Sequence, residues 1–194
     1  MNKYFLKRVS DNTVVGCIFL FTCTLSCSPI AFAGQEIIIS AGKGLGSVLM
    51  QRDANSTAKA AGVNYSYLFS SSNSANNSWQ WWGQGSYSYL RLEHLGETQQ
   101  QNIIEIKPVL RWYPQNEPLG SFAEAGVGAS YLSQREFGDI QLSTKVNFAL
   151  HFALGYRFTS GHTLSLRYSH FSNGYTNVPN PGFDFASING HFSF

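Results

Sequence analysis

A histidine, a serine and a carboxylate fall within fifteen residues near the end of this chain, as His170, Ser172 and Asp184. A hydrolase triad needs a hydroxyl to attack, an imidazole to take its proton and a carboxylate to orient that imidazole. Residues i and i+2 of a strand point to one face, so His170 and Ser172 stand side by side if this segment is extended. Between Gly174 and Phe183 lie the turn signals Asn177, Pro179, Asn180, Pro181 and Gly182. The next strand then returns antiparallel and brings Asp184 opposite His170. A tetrahedral oxyanion needs nearby donors. Asn173, Asn180 and the loop amides around Gly174 are the candidates, and Asn180 reads equally well as a plain turn residue.

The strands that must hold these groups show a period of two. From Val146 to Phe158 every even position is apolar or aromatic and every odd one is small or polar. A helix cannot use that alternation, and a transmembrane strand requires it. Eight such strands are expected: 36–48, 58–69, 79–95, 101–113, 119–132, 144–158, 163–172 and 183–194. The fold class is therefore all-β, an eight-stranded antiparallel transmembrane barrel, closed because the bilayer interior tolerates no open sheet edge. Turns are expected at Arg52-Asp53-Ala54-Asn55, Ser70 to Ser78, Gly96-Glu97, Pro114-Gln115-Asn116 and Thr159-Ser160-Gly161.

Facing follows from parity. Val63, Tyr65, Tyr67 and Phe69 point outward, as do Ile104, Ile106, Leu110 and Trp112, and as do Ala123, Ala125, Val127, Ala129 and Tyr131. Gly42, Gly44 and Gly46 leave room inside the first strand. The third strand is ambiguous, with aromatics on both parities. Trp79, Trp81, Trp82 and Trp112 read as an interfacial girdle. Glu105, Lys107, Arg111, Glu124, Arg157 and Arg167 point inward with His151, as a salt-bridge network filling a lumen too narrow for a pore. If Leu164, Leu166 and Tyr168 face lipid, so do His170 and Ser172. From the other end, Phe194, Phe192, Ile188 and Ala186 share a face with Asp184. Polar groups on the hydrocarbon side are costly and point to function.

Residues 1–33 read as a secretory signal peptide. Lys3, Lys7 and Arg8 precede an apolar run from Val14 to Leu25, and Ala31-Phe32-Ala33 fits small-x-small cleavage before Gly34. Lipoprotein processing at Cys27 is the competing reading, with Thr24-Leu25-Ser26 a poor match to it. The barrel domain is then 34–194. All three cysteines, Cys17, Cys23 and Cys27, lie in the leader. The rest of the chain offers no disulfide, thiolate site or cysteine nucleophile. Charged residues make up 12% and aromatics 15% of the chain, against about a quarter charged in soluble domains. A formal charge of +2 gives no basic field for nucleic acid. His94, His162 and His191 form no metal-ligand spacing with carboxylates, and no metal is expected. With both termini periplasmic, the seventh strand ends outside, and Ser172 lies near an outer leaflet of lipopolysaccharide.

The run from His170 through Phe-Ser-Asn-Gly-Tyr-Thr-Asn-Val-Pro-Asn-Pro-Gly-Phe to Asp184 closely resembles the active-site hairpin of the PagL-type lipid A 3-O-deacylases. These are eight-stranded outer-membrane barrels with a His-x-Ser-Asn motif and an acid fourteen residues after the His. Phe122 to Gly128 and the Trp-rich third strand extend the likeness more loosely. The resemblance implies that His170 is the general base, Ser172 the nucleophile and Asp184 the acid. It places Asn180 at the oxyanion hole and Asn173 at the motif's Asn. It also implies lipid A of lipopolysaccharide as substrate, outer-membrane lipid as surroundings, a capacity to homodimerise, and hydrolysis without a cofactor. The acid is Asp where the best-known members carry Glu, so a shorter carboxylate must come closer to the imidazole. A non-enzymatic structural or adhesive barrel would explain the strands but not three aligned polar residues on the lipid face. A phospholipase or acyltransferase would share the chemistry and differ in pocket shape.

Overall fold

The structure, a computed structural model, describes residues 34–46 and 58–194. The expected signal segment 1–33, the outer end of the first strand at Val48 and the turn at Arg52 to Asn55 lie outside the described residues. The strands are β1 (Gln35–Gly46), β2 (Lys59–Asn73), β3 (Ser78–His94), β4 (Glu97–Tyr113) and β5 (Gly120–Leu132). They continue as β6 (Glu136–Phe137), β7 (Ile140–Gln141), β8 (Val146–Arg157), β9 (Thr163–Ser172) and β10 (Phe183–Ser193). Eight of them close into one antiparallel barrel in the order β1-β10-β9-β8-β5-β4-β3-β2. The short β6 and β7 form a separate hairpin within the β5–β8 connection, which the sequence pattern did not announce.

Three expectations shift. The Ser/Asn run is strand at both ends: Ser70 to Asn73 pair with Ser78 to Trp81, leaving Ser74 to Asn77 as the turn. Backbone pairing carries a hairpin past the bilayer edge, where an apolar side chain is no longer required. The β3–β4 reversal lies at Leu95-Gly96, with φ of 51° and 83°, so Glu97 already belongs to β4. Two consecutive left-handed residues make the two-residue hairpin turn that matches strand twist. Finally, Trp82 is not a girdle residue. Parity on β3 sends Trp79 and Trp81 outward and Trp82 into the lumen, where it is 1% exposed.

The outer surface carries Ile37, Ile39, Val63, Phe69, Ile104, Ile106, Phe152, Leu154, Leu166 and Ile188 in the open. A continuous apolar belt of this extent is a lipid-facing surface, since soluble proteins expose only small patches. The inside is polar and ionised. The Arg111 guanidinium donates to both oxygens of Glu36 at 3.1 and 3.0 Å and through Nε to Glu124 at 2.8 Å. It also lies 4.9 Å from the ring centroids of Trp82 and Phe122. Arg167 donates to Glu124 at 3.0 Å, and His151 Nε2 meets the same carboxylate at 3.1 Å. Lys107 pairs with Glu105. Glu36 and His191 belong to this network as well, although only its other members stood out in the sequence.

Toward the end that carries the β9–β10 connection, the lumen turns apolar. Phe171, Phe183 and Phe185 pack there with Leu90, Leu92 and Ile103, capped by Phe137, Ile140 and Leu142 of the β6–β7 segment. Replacing Arg111 by Leu removes the cation that bridges Glu36 and Glu124, leaving Glu36 with His191 and Arg157 and Glu124 with Arg167 and His151. Loss of one partner of a buried ion group costs about 3–5 kcal/mol. The expected outcome is a lower unfolding midpoint in detergent micelles, read by the gel shift between folded and unfolded barrel. An unchanged midpoint would show that the lumenal ions do not hold the barrel together.

Candidate active site at the outer face of β9 and β10

Strand parity decides what the end of β9 presents. Phe171 enters the lumen, fully buried, and stacks on Phe185 with centroids 5.6 Å apart and planes at 14°. Its neighbours His170 and Ser172 must then face outward, on the side of Leu164 and Leu166. The β9–β10 register places Asp184 directly across from His170. The imidazole Nδ1–H donates to Asp184 Oδ1 at 2.6 Å, a short charge-assisted bond with the carboxylate wholly buried. On the other flank, β8 sets Leu150 beside His170 and Phe148 beside Ser172.

Although these three groups lie on the lipid-facing side, none is open. His170 and Ser172 are only 6% and 7% exposed. Gly182 is part of the reason. It takes a left-handed φ of 70°, and a Cβ there would sit 2.8 Å from His170 Cε1. The chain at 182 therefore lies against the edge of the imidazole. Tyr168, one step down the same face, turns its hydroxyl toward Asp184 without reaching hydrogen-bond geometry. Its parity was legible, but only as another lipid-facing aromatic.

The structure joins His170 to Asp184 but not to Ser172. Among the described residues, no hydrogen bond engages the Ser172 hydroxyl. Side chains two apart on a strand start about 6.6 Å apart at the backbone, and catalytic bonds often tighten only when substrate is bound.

The loop after Ser172 is wired through Asn173. The Asn173 backbone N–H donates to Asn180 Oδ1 at 3.0 Å, and its Nδ2 donates to Ser143 Oγ at 2.7 Å and to the Asn177 carbonyl at 2.8 Å. Its Oδ1 accepts from the Tyr175 N–H at 2.9 Å. With its polar groups so engaged, Asn173 holds the loop and has no donor left for substrate. Asn180 differs: its oxygen is fixed on Asn173, while its buried Nδ2 has no partner among the described residues. A fixed amide with an unused donor is what an oxyanion hole requires. Gly174 is exposed with a φ of 63°, and no backbone acceptor takes its N–H among the described residues. No group of three or more His, Cys, Asp or Glu side chains suited to a metal occurs among the described residues.

The family model described as lipid A 3-O-deacylase (PagL) matches residues 58–193, a stretch that contains the whole hairpin. The chain belongs to the PagL family. Among individual relatives, the lipid A deacylase PagL of Bordetella bronchiseptica is 33% identical over 114 residues, covering 59% of this chain and 57% of that protein. The enzyme of the same name from Pseudomonas aeruginosa is 27% identical over 88 residues, covering 45% and 51%. The chain thus spans little more than half the length of these relatives. The crystal structure of the outer membrane enzyme PagL superposes with a TM-score of 0.68 at 19% identity, covering 82% of this chain and 99% of that one. That likeness shows the fold: the chain is an eight-stranded barrel of the PagL type.

Within this PagL-family barrel, Gly182 gives a direct probe of the His170–Asp184 bond. Gly182→Ala adds a methyl against the imidazole and places an L-residue in left-handed space, a strain of roughly 1–2 kcal/mol. Proton NMR of the labelled barrel should then lose or shift the far-downfield Nδ1–H signal expected of the 2.6 Å bond. An unchanged signal would show that the chain at 182 does not fix the ring.

Proposed function

We propose that this protein is a lipid A 3-O-deacylase, a serine esterase of the Gram-negative outer membrane. It hydrolyses the ester-linked acyl chain at the 3 position of lipid A in lipopolysaccharide. The observation that carries the reading is the buried His170–Asp184 pair, at 2.6 Å, beside Ser172 on the lipid side of the barrel. Membership in a family described as lipid A 3-O-deacylases supports the substrate class. An acyl chain can stay in the bilayer while its ester meets a nucleophile that faces it.

In this mechanism His170 Nε2 takes the Ser172 proton as Oγ attacks the ester carbonyl. Asp184 keeps the proton on Nδ1, so the free nitrogen faces the serine, and it stabilises the imidazolium that forms. Asn180 Nδ2 and the Gly174 N–H donate to the oxyanion. Collapse expels the sugar 3-hydroxyl, which takes its proton from His170. Water, activated by the same imidazole, then hydrolyses the acyl-enzyme and releases a fatty acid. This acid–base and nucleophilic chemistry calls for no cofactor.

The same reading makes residues 1–33 the export signal, with Gly34 the first residue of the working barrel, and sets the outer ends of β9 and β10 in the outer leaflet. It includes homodimerisation, which the family resemblance implies, with the site built from one chain's residues.

Mass spectrometry of lipid A from cells expressing the parent chain should show loss of one 3-hydroxyacyl chain. Ser172→Ala should assemble a normal barrel and leave lipid A unchanged. Asp184→Asn should lower the rate by about 10⁴-fold if it acts as the orienting acid does in serine hydrolases. Asn180→Ala should lower it by about 10²–10³-fold. Intact lipid A with an assembled parent, both in cells and on purified lipopolysaccharide in detergent, would refute the deacylase reading.

A further inference from the structure

Next to the hairpin, an open cleft of about 650 Å³ is lined by Arg135, Ser143, Thr144, Lys145, Val146 and Thr176. Two of these are cations and three are hydroxyls, and no carboxylate lines the cleft. Among the described residues neither Arg135 nor Lys145 enters an ion pair. The nearest acid in sequence, Glu136, lines the neighbouring hollow and accepts from Gln141 Nε2 at 3.0 Å. Two unpaired cations over neutral donors make a setting for a phosphate, which guanidinium and ammonium groups bind through charge-assisted hydrogen bonds.

Position gives the cleft its meaning. Its wall is tied to the residue after Ser172: Ser143 Oγ accepts from Asn173 Nδ2 at 2.7 Å, and Thr176 Oγ1 donates to the Asn173 carbonyl at 2.9 Å. Lys145 immediately precedes β8, whose Phe148 flanks Ser172. Three strand residues rise about 10 Å, so the cations stand beyond the nucleophile on the loop side. On the membrane side, Val146 is 64% exposed and marks the apolar edge of the cleft. Phosphate in the cleft, ester at Ser172 and acyl chain along the outer wall is the order of a phosphorylated acyl sugar embedded in a bilayer.

We propose that this cleft is the phosphate subsite of the enzyme, with Arg135 and Lys145 gripping a phosphate on the same sugar lipid whose ester meets Ser172. The proposal rests on the deacylase reading and adds the feature that distinguishes the substrate from a neutral lipid ester.

The test uses the full-length barrel in neutral detergent, with phosphorylated lipid A and the same lipid A after phosphatase treatment. Released hydroxy fatty acid is the readout. The Arg135→Gln, Lys145→Gln double variant is compared with the parent, and Lys59→Gln on β2 serves as a remote charge control. Each charge-assisted bond is worth about a tenfold change in affinity. The double variant should raise KM for phosphorylated lipid A by about 10–100-fold with kcat nearly kept. It should match the parent on the dephosphorylated lipid, and Lys59→Gln should change neither. Parental KM in the double variant overturns the proposal, as does an equal loss on both lipids, which would mark a structural role. Restoration of dephosphorylated-lipid turnover by an added phosphorylated non-substrate lipid would assign the cleft to a neighbouring lipid and also overturn it. If the parent cleaves neither lipid, it is the deacylase reading that fails. Binding of phosphorylated lipid A to Ser172→Ala, with and without the two Gln substitutions, then decides the cleft: weaker binding with them supports it, and equal binding overturns it.

Discussion

A bilayer interior offers no water to an unpaired backbone, so a membrane sheet must close, and a closed sheet has only an inside and an outside. Alternation then assigns every residue of every strand to one of the two. The lumen takes the charges, and Arg111 is held there by Glu36, Glu124 and two aromatic rings. The outside takes the aliphatic belt. The same rule, applied at the last turn of β9, sends Phe171 inward and therefore His170 and Ser172 outward. Anchoring of Phe171 between Phe183 and Phe185 fixes the facing of both candidate catalytic groups. A one-residue slip would put the imidazole in the apolar plug and a phenylalanine in its place.

Placing a carboxylate and an imidazole on the hydrocarbon side costs free energy that an apolar pair would not. The cost is offset locally. Asp184 is paired and wholly buried, and the chain at Gly182 lies against the ring edge. The site is thus a small polar enclosure on the outer wall, with Phe148 and Leu150 as its β8 border. Burial shields its imidazole and carboxylate from bulk water. It also keeps the His170–Asp184 bond in a low dielectric, where it is strongest.

Parity made the barrel legible in the sequence, because the period of two is imposed strand by strand. The opposition of His170 and Asp184 was legible too, since turn signals fix where β10 begins. What escaped depends on side chains at distant positions. Trp82 looked like its neighbours Trp79 and Trp81 until the pairing of β3 set it facing Arg111. Glu36 and His191 sit at opposite ends of the barrel sequence and meet only on closure, through β1 and β10. The β6–β7 hairpin is two residues a side, too short for any period to register. Asn173 appeared as a candidate donor because its residue type allows it, and only the loop's geometry shows its donors already engaged.

That engagement gives the connection after Ser172 its character. Ten residues carry the chain from β9 to β10, and a loop of that length is ordinarily soft. Here one residue ties it together: Asn173 reaches Asn180 through its backbone N–H, and through its side chain reaches Asn177 within the loop and Ser143 in the β5–β8 connection. The backbone beside Ser172 is therefore set by bonds to two loops rather than by its own strand alone. Each of those bonds is worth about 1 kcal/mol on its own, yet together they hold one amide, Asn180, with its oxygen occupied and its nitrogen unpartnered among the described residues. An orphaned buried donor is a liability in a structure at rest. In the proposed reaction an acceptor reaches it during turnover. The one atom of an acyl substrate that gains negative charge beside Ser172 is the carbonyl oxygen under attack.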